Sequence, residues 1–464
     1  MKITLLGASG GEVTGSAYLV ETRQARLLVD FGLFQGGRKT EALNRLPSVC
    51  QPTRLDAVLV THAHLDHTGR LPLLVRNGYT GPIFATSATA DLARLILTDS
   101  ARLQAQDADR LNRKRERAGL EPLAPLYEPG HVEQACGLMQ PVRFHEPVAV
   151  AEGVTGCWVD AGHLLGSASI QLTVEEGDRR RVVVFSGDLG PPNRPIVQDA
   201  EPFEAADVVF LESTYGDRDH RPYDETIAEF AGIVKEAVDK RGKLLVPTFA
   251  VGRAQQMVYH LAVLFHQGTV PPFPVYLDSP MAIEASQIYR GHPGLLDEEM
   301  QAFRQQGVFP ANPAYFKTSP TPADSMQLND LEGPCLILAG SGMCTGGRIL
   351  HHLKQNLWRE TTHVLIVGYQ SRGGLGRQLV DGLPKVKIHG ETIAVRARIH
   401  TLGGFSAHAG QRDLLAWFGA MAGSKPQTVL VHGEDGPRQA LATLLAERHG
   451  VRVQLPGLGE ELDF

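Results

Sequence analysis

The sequence has few cysteines and no long uninterrupted run of apolar residues. Its five cysteines are an odd number and form no Cys-x-x-Cys pair, which argues against a disulfide framework and against a zinc site built on thiolates. The longest apolar runs, such as residues 208–211 and 364–367, span a few positions, whereas a membrane helix needs about 20. We therefore expect no transmembrane helix, and we expect any metal to have histidine and carboxylate ligands.

The chain also lacks a strong charge of either sign. Its 464 residues include 45 Lys and Arg against 51 Asp and Glu, a formal net charge of −6, with 21% charged and 43% hydrophobic residues. That balance is typical of a globular protein and excludes both a disordered tail and a histone-like polycation. The N-terminus has no apolar segment like that of a secretory signal, so we predict a cytoplasmic protein with no membrane partner.

Glycine and proline separate many short apolar runs, a pattern typical of an α/β protein rich in strands. Short strand-like runs dominate residues 1–199, with one helical pattern at residues 86–119, and predict two packed sheets with helices outside. Longer alternation of strands and helices over residues 200–395 predicts a parallel sheet. Residues 396–464 return to short strands and one amphipathic helix, so we predict that the second domain interrupts the first.

Three of the eighteen histidines fall within six residues, because residues 61–67 read Thr-His-Ala-His-Leu-Asp-His. In an extended chain His62 and His64 project to the same side and can share one ion, whereas Asp66 and His67, beyond the bend, turn toward a second. This pattern predicts a loop site after a strand. Further candidate ligands stand where other predicted strands end: His163, Asp188 and His432.

The pattern His-x-His-x-Asp-His, followed by Gly-His and then by Ser-Gly-Asp, resembles the metallo-β-lactamase fold. Residues 28–32, Leu-Val-Asp-Phe-Gly, match the first motif of that family. The resemblance implies an αββα sandwich with metals at the sheet edges, and Asp30 as the residue that orients the loop. It implies two zinc ions with seven ligands: His62, His64 and His163 for the first, Asp66, His67 and His432 for the second, and Asp188 as the bridge. Manganese would also suit the second site, which is rich in aspartate.

Three further motifs resemble motifs A, B and C of the β-CASP nucleases, which include bacterial ribonuclease J and the nuclease subunit that cleaves eukaryotic pre-mRNA 3′ ends. They are residues 211–216 (Leu-Glu-Ser-Thr-Tyr-Gly), 404–408 (Gly-Phe-Ser-Ala-His) and 431–434 (Val-His-Gly-Glu). Members directed at DNA usually have an apolar residue at motif C, so His432 points to RNA. The chain ends about thirty residues after His432, so we expect neither the extra C-terminal domain of ribonuclease J nor the KH domains of archaeal relatives.

This resemblance implies hydrolysis of a phosphodiester by a hydroxide that bridges two metals, leaving 5′-phosphate and 3′-hydroxyl ends. The leaving 3′ oxygen needs a proton, and His408 is the candidate donor. Glu212 would accept from the other ring nitrogen of His408, although a cap on the following turn is its alternative role. Asp66 and Asp188 complete the predicted catalytic set.

A glycine-rich segment at residues 340–348 lies between a predicted strand and a helix, where backbone N–H groups and the helix dipole attract phosphate. We expect a phosphate-binding wall made of residues near strand ends: Arg253, Ser341, Gly342, Thr345, Gly346, Arg348, Gln370 and Arg372. A purely structural turn is the alternative for the segment. Phe249, Met343 and Tyr369 either stack on bases or pack in the core.

We predict a zinc-dependent ribonuclease that acts on single-stranded RNA, with endonuclease action favoured over 5′-exonuclease action. A hydrolase of small esters, thioesters or lactones is the alternative from related sandwiches. A scaffold subunit without nuclease activity is a third class, and loss of metal ligands would mark it. The target RNA and the formation of a homodimer stay open.

Overall fold

The computed structural model describes residues 1–309, 312–371 and 373–464, without the side chain of Arg38. The strands are β1 (Lys2–Leu5), β2 (Tyr18–Glu21), β3 (Arg26–Val29), β4 (Ala57–Leu59), β5 (Ile83–Thr86), β6 (Met139–Val142), β7 (Val148–Ala151), β8 (Val154–Asp160), β9 (Ala168–Glu176), β10 (Arg179–Phe185), β11 (Val208–Glu212), β12 (Lys243–Pro247), β13 (Val275–Leu277), β14 (Phe316–Thr318), β15 (Cys335–Ala339), β16 (His363–Ile366), β17 (Lys385–Ile388), β18 (Glu391–Ala394), β19 (Arg398–Thr401), β20 (Gln427–Val431), β21 (Val453–Gln454) and β22 (Glu461–Asp463). The α-helices are α1 (Arg38–Glu41), α2 (Leu65–Thr68), α3 (Leu71–Arg76), α4 (Ser87–Arg117), α5 (Pro129–Gly137), α6 (Tyr223–Asp239), α7 (Arg253–His266), α8 (Pro280–Gly291), α9 (Glu298–Gln305), α10 (Pro322–Gln327), α11 (Arg348–Asn356), α12 (Leu375–Val380), α13 (Gln411–Gly419) and α14 (Asp435–His449).

The chain forms two compact units, and the first of them consists of two separate segments. Met1–Asp219 and His408–Phe464 make the first unit, and His220–Ala407 makes the second. Both boundaries come later than the predicted 199 and 395. Strand β11 pairs with β10 and β20 in the first unit, and β19 pairs with β16 in the second. Strand pairing between distant parts of the chain therefore determines where one unit ends and the other begins.

The first unit is a sandwich of two seven-stranded sheets. Their orders are β22-β1-β2-β3-β4-β5-β6 and β21-β20-β11-β10-β9-β8-β7. Alternate side chains of both sheets point inward and share one apolar core, to which Val29 contributes from the first sheet and Phe210 from the second. Leucines of α3 pack on the outer face of the first sheet, and leucines of α13 and α14 pack on that of the second. This arrangement confirms the predicted αββα sandwich.

Parallel pairing within the second sheet of this unit brings candidate site residues together. Strand β11 is parallel to both of its neighbours, β10 and β20, so the carboxyl ends of the three strands lie at one edge. Asp188 follows β10, Glu212 ends β11, and His432 follows β20. Strand β8 is antiparallel to β9, which is antiparallel to β10, so β8 also ends at this edge, three residues before His163.

The second unit contains a six-stranded sheet of order β14-β13-β15-β12-β16-β19, in which every pair is parallel. Successive residues of β12 point to opposite faces: Leu244 packs with α6 and α7, and Leu245 packs with α11 and α12. Buried strands covered on both faces explain the nearly continuous apolar runs. Among the described residues, no helix has both the length and the apolar composition needed to cross a membrane.

Candidate metal centre and active site

The first group of candidate ligands contains three histidines and one aspartate. His62 Nε2 and His163 Nε2 lie 3.2 and 3.0 Å from His64 Nδ1, and 3.4 and 3.6 Å from Asp188 Oδ2. Ligand atoms bonded to zinc at about 2.0–2.1 Å in a tetrahedron are about 3.3–3.4 Å apart. The four atoms are therefore spaced as one zinc ion requires.

The second group shares Asp188 with the first. His67 Nε2 lies 3.2 Å from Asp188 Oδ1, and His432 Nε2 lies 3.5 Å from Asp188 Oδ1 and 3.6 Å from Asp66 Oδ2. Asp188 thus directs one carboxylate oxygen to each group. Asp188 Oδ1 and His432 Nε2 are buried and form no hydrogen bond with any described residue. Because buried polar atoms without partners are costly, these orphaned atoms fit a site that holds a pair of metal ions.

Hydrogen bonds on the outer side of the cluster orient its imidazole rings. His67 Nδ1 lies 2.7 Å from Asp30 Oδ2, and His62 Nδ1 lies 3.1 Å from Thr61 Oγ1. On the opposite sheet, Thr214 Oγ1 lies 3.1 Å from His432 Nδ1. In these three rings Nδ1 is engaged outside the cluster, so the Nε2 lone pair is turned toward the cluster. Thr61 and Thr214 adjoin or belong to the predicted motifs, but the sequence reasoning assigned them no role.

The electrostatics favour the metal-binding protonation states of Asp188 and His62. Burial alone would raise the pKa of Asp188, but the imidazoles of His432, His67 and His62 outweigh burial and hold that pKa well below its ordinary value. Burial, reinforced by His67, lowers the pKa of His62 well below its ordinary value. An ionised carboxylate and a neutral imidazole are the forms that coordinate a metal ion. Burial lowers the pKa of His67, but the carboxylates of Asp188 and Asp30 outweigh burial and raise that pKa well above its ordinary value, so a metal bound there must displace a proton.

His408 and Glu212 meet at the edge of this cluster. His408 Nδ1 lies 3.2 Å from Glu212 Oε1, and its Nε2 lies 4.0 Å from Asp188 Oδ2. Glu212 is fully buried and also accepts from the backbone N–H of Leu189 at 2.7 Å, which fixes the carboxylate. Burial lowers the pKa of His408, but the carboxylates of Glu212 and Asp188 outweigh it and raise that pKa to about 9. The two carboxylates therefore favour the protonated imidazole, which remains partly open to solvent.

Arg70 supports the loop that presents the first ligands, and the sequence reasoning did not single it out. Its side chain is fully buried between the rings of Phe31 and Phe34, with the guanidinium carbon 4.2 and 4.7 Å from their centroids. The guanidinium donates to the carbonyl of Gly32. The Phe31 N–H donates in turn to the carbonyl of His67 at 2.8 Å. The sequence offered one signal for this role: Arg70 is a charged residue that stands directly before the apolar run of α3.

In the second unit, most predicted phosphate ligands have partners within the fold. Arg348 Nη1 donates to the buried carboxylate of Asp278 at 2.7 Å. Ser341 Oγ accepts from the backbone N–H groups of Thr345 and Gly346 at 2.9 and 3.1 Å. These contacts correct the expectation that Arg348 and the loop amides are free for phosphate. A buried carboxylate needs a paired cation, and the serine closes the loop on itself, so the observed contacts favour the structural turn.

The predicted phosphate ligands outside residues 340–348 differ in their surroundings. Gln370 is buried, and its Nε2 donates to the carbonyl of Gly342 at 2.8 Å, so its amide braces the glycine-rich loop. Arg253 is partly exposed and donates from Nη1 to Gln256 Oε1 at 3.1 Å. Arg372 lies outside the described residues. Arg253 is therefore the predicted phosphate ligand that stays closest to the original expectation.

A third histidine and carboxylate cluster, in the second unit, has the geometry of a hydrogen-bond network. Glu236 Oε1 accepts from Lys240 Nζ at 2.7 Å and from Arg398. His363 Nδ1 and His400 Nε2 lie 2.9 Å apart in rings only 7° from parallel, with centroids 5.2 Å apart. Nearly coplanar rings at this spacing place one N–H in line with the other nitrogen. The geometry and the two flanking cations favour a hydrogen-bonded pair over a metal site.

Three known domain families match the chain in order. The metallo-beta-lactamase superfamily matches residues 10–135, the Beta-Casp domain residues 254–379, and the Zn-dependent metallo-hydrolase RNA specificity domain residues 392–456. Over 460 residues the chain is 43% identical to Ribonuclease TTHA0252 of Thermus thermophilus, and the match covers 99% of both proteins. The chain belongs to the β-CASP family of RNA-processing nucleases.

Other comparisons agree with this family. Transcription termination factor FttA of Methanocaldococcus jannaschii is 30% identical over 444 residues, which cover 94% of this chain and 67% of that protein. The Thermococcus kodakarensis FttA is 30% identical over 473 residues, which cover 98% and 70%. A crystallised Enterococcus faecalis V583 protein of unknown function, 14% identical, matches 99% of both chains with a TM-score of 0.55, which shows a shared fold. As a β-CASP nuclease, the protein is a metal-dependent hydrolase, as predicted.

Proposed function

We propose that this β-CASP nuclease is a zinc-dependent endoribonuclease that cleaves single-stranded RNA to 5′-phosphate and 3′-hydroxyl ends. The observation that carries the proposal is the pair of ligand groups that share Asp188. One carboxylate oxygen of Asp188 faces the first group, and the other oxygen faces the second. Two metal ions that share a carboxylate can clamp a phosphodiester, because they neutralise charge on both the attacking and the leaving side.

The proposed ligands divide between two ions, and each ion has nitrogen and oxygen donors. The first takes His62, His64 and His163, the second takes Asp66, His67 and His432, and Asp188 serves both. Imidazole and carboxylate donors at tetrahedral spacing suit zinc, and the carboxylates of the second site would also accept manganese. When bound, the metal pair supplies the positive charge that lowers the pKa of water and stabilises the phosphoryl group.

The residues beside the metals perform the proton chemistry. We assign His408 as the group that protonates the leaving 3′ oxygen, because its Nε2 lies 4.0 Å from Asp188 Oδ2 at the edge of the cluster and the ring is partly open to solvent. Glu212 holds His408 through Nδ1 and leaves Nε2 to face the site. Asp66 and Asp188 act in the same reaction by holding the metals, and Asp30 keeps the His67 ring in place.

Two observations support RNA as substrate. The relative that is 43% identical is named a ribonuclease, and an RNA specificity domain matches residues 392–456. Arg253 stays the proposed phosphate contact in the second unit.

The deciding experiment is a digest of one RNA that is labelled in parallel at its 5′ and 3′ ends. We expect internal fragments from both labels, loss of cleavage with a chelator, and recovery with Zn²⁺. Release of labelled mononucleotides alone would indicate 5′-exonuclease action instead. A glutathione thioester and a chromogenic lactam serve as parallel substrates, and faster turnover of either one than of RNA would favour the small-molecule alternative.

A further inference from the structure

In the second unit, an exposed aromatic ring packs against the backbone of two glycines. Phe249, in the loop after β12, is 47% exposed although phenylalanine is usually buried. Its ring lies against Gly342, where an added Cβ would lie only 2.9 Å from a ring carbon, and a Cβ added at Gly368 would lie 3.8 Å from the ring. Tyr369, directly after Gly368, is 66% exposed. Phe249 thus packs against glycine backbone, and the exposed Tyr369 follows one of these glycines directly in the chain.

The topology of the six-stranded sheet in the second unit places this ring at a crevice. After β12 the chain crosses toward β13 on one side of the sheet, whereas after the neighbouring β15 it crosses toward β16 on the other. Open parallel sheets bind ligands outside the carboxyl ends of their strands, at the position where the connections diverge in this way. Phe249 follows the carboxyl end of β12, and its ring lies against the loop that follows β15.

The loops around the ring are braced before any ligand binds. Gln370 Nε2 donates to the carbonyls of Gly342 and Gly368 at 2.8 and 3.2 Å, which joins the loops after β15 and β16. Ser341 Oγ closes the glycine-rich loop, and Arg348 ties its far end to Asp278. A site braced in this way loses little conformational entropy on binding.

We propose that Phe249, assisted by Tyr369, is a base-stacking platform that holds one nucleobase of a single-stranded RNA. A flat apolar ring fixed at a sheet edge recognises a flat π-face, and every nucleobase presents such a face whatever its sequence. Gln370 Nε2 and Ser341 Oγ are engaged within the surrounding loops, so the stacking contact itself recognises the base by the shape of its π-face. This inference rests on the proposed ribonuclease function.

The test measures stacking directly with a short single-stranded RNA that contains 2-aminopurine, whose fluorescence is quenched when it stacks. The holoenzyme is mixed with this RNA in a stopped-flow instrument, and quenching is recorded before cleavage. Phe249→Ala and Phe249→Leu should abolish the quenching and weaken binding by about 5- to 100-fold, since base stacking on an aromatic ring typically contributes that much. Phe249→Trp should retain both, because it preserves a π-face.

A matched control comes from the opposite edge of the same sheet. Trp358 is 49% exposed and lies between the end of α11 and the start of β16, so Trp358→Ala removes a similar exposed ring away from the crevice. We expect this variant to bind and quench like the unmodified protein. Phe249→Leu keeps apolar contact with Gly342, so it separates stacking from folding.

The outcomes distinguish this inference from the proposed function. Unchanged quenching and affinity in Phe249→Leu, in a protein that cleaves RNA, would overturn the platform and leave the ribonuclease intact. Equal losses in Trp358→Ala and Phe249→Leu would also overturn it, because the effect would not be local. A holoenzyme that neither binds nor cleaves RNA would refute the proposed function and the platform together.

Discussion

Replacing His408 by alanine should remove most turnover and leave both metal ions bound. His408 Nε2 lies 4.0 Å from Asp188 Oδ2, whereas the separations given above between atoms of the proposed ligands are 3.0–3.6 Å. Its other nitrogen is held by Glu212. However, His408 also lies near enough to Asp188 and His432 to be considered a ligand itself, so metal content and turnover must be measured together.

The size of the expected loss follows from the role of a proton donor. A positioned general acid contributes about 10²- to 10⁴-fold, which corresponds to about 2.7–5.4 kcal/mol of transition-state stabilisation. The His408→Ala variant should fall within this range in single-turnover cleavage. Glu212→Gln should lose less, roughly 10-fold, because an amide oxygen can still accept from His408 Nδ1 without the full charge.

The assay compares two RNA substrates that differ only at the leaving atom. One has the ordinary 3′ oxygen, and the other has sulfur there, which departs as a thiolate and needs no proton. The loss caused by His408→Ala should nearly vanish with the sulfur substrate. His145→Ala, at a solvent-exposed histidine of the same unit, serves as the control and should behave like the unmodified protein on both substrates.

Two results would refute this reasoning. If metal analysis finds that His408→Ala holds one ion in place of two, His408 is a ligand. If the loss is the same for the oxygen and sulfur substrates, the imidazole does not deliver the proton to the leaving group.

Three further predictions concern metal affinity and stability. Asp30→Asn should weaken metal binding about 10- to 100-fold in a chelator competition assay, because Asp30 Oδ2 holds His67 Nδ1 at 2.7 Å. Arg70→Met should lower the free energy of unfolding in urea by about 2–4 kcal/mol, because buried carbonyls, including that of Gly32, lose their donor. Burial raises the pKa of Asp160 to about 7, so the folded state binds this proton more tightly than the unfolded state, and stability falls as pH rises from about 4 through 7. Asp160→Asn should therefore stabilise the protein by at most about 4 kcal/mol at pH 8 and hardly at all at pH 4.

Each of these predictions has its own control. Asp30→Glu should keep more metal affinity than Asp30→Asn, and equal affinity in both variants would argue against a role for the charge. Arg70→Lys keeps the charge but lacks the planar donor fork, so full stability in Arg70→Lys would show that hydrogen bonding to the carbonyls is unimportant. Asp178→Asn, at an exposed turn, should follow the same pH dependence of stability as the unmodified protein. A stabilisation by Asp160→Asn that is equal at pH 4 and pH 8 would contradict the linkage.

The local chemistry of the site could be derived from the sequence, because its strongest signal lies within six residues. The spacing of His62, His64, Asp66 and His67 predicted two ligand pairs from backbone geometry alone, and the structure turns them toward separate groups. The succession of short strand-like runs, and further on of alternating strands and helices, likewise predicted which regions form a sandwich and which a parallel sheet. These are properties of short segments, and neighbouring residues determine them.

Only the tertiary structure decided which distant groups meet. The separate oxygens of Asp188 reach the two ligand groups because β10, β11 and β20 are parallel neighbours, and no local pattern records that pairing. The partners of Arg348 and Ser341 were equally hidden: a glycine-rich loop looks the same whether its amides are free or already bonded to its own serine. Boundaries near residues 219 and 407 depended on which sheet β11 and β19 joined. Hydrogen-bond pairing across long stretches of chain is a property of the whole fold, so the sequence alone predicted the reactive residues better than their partners.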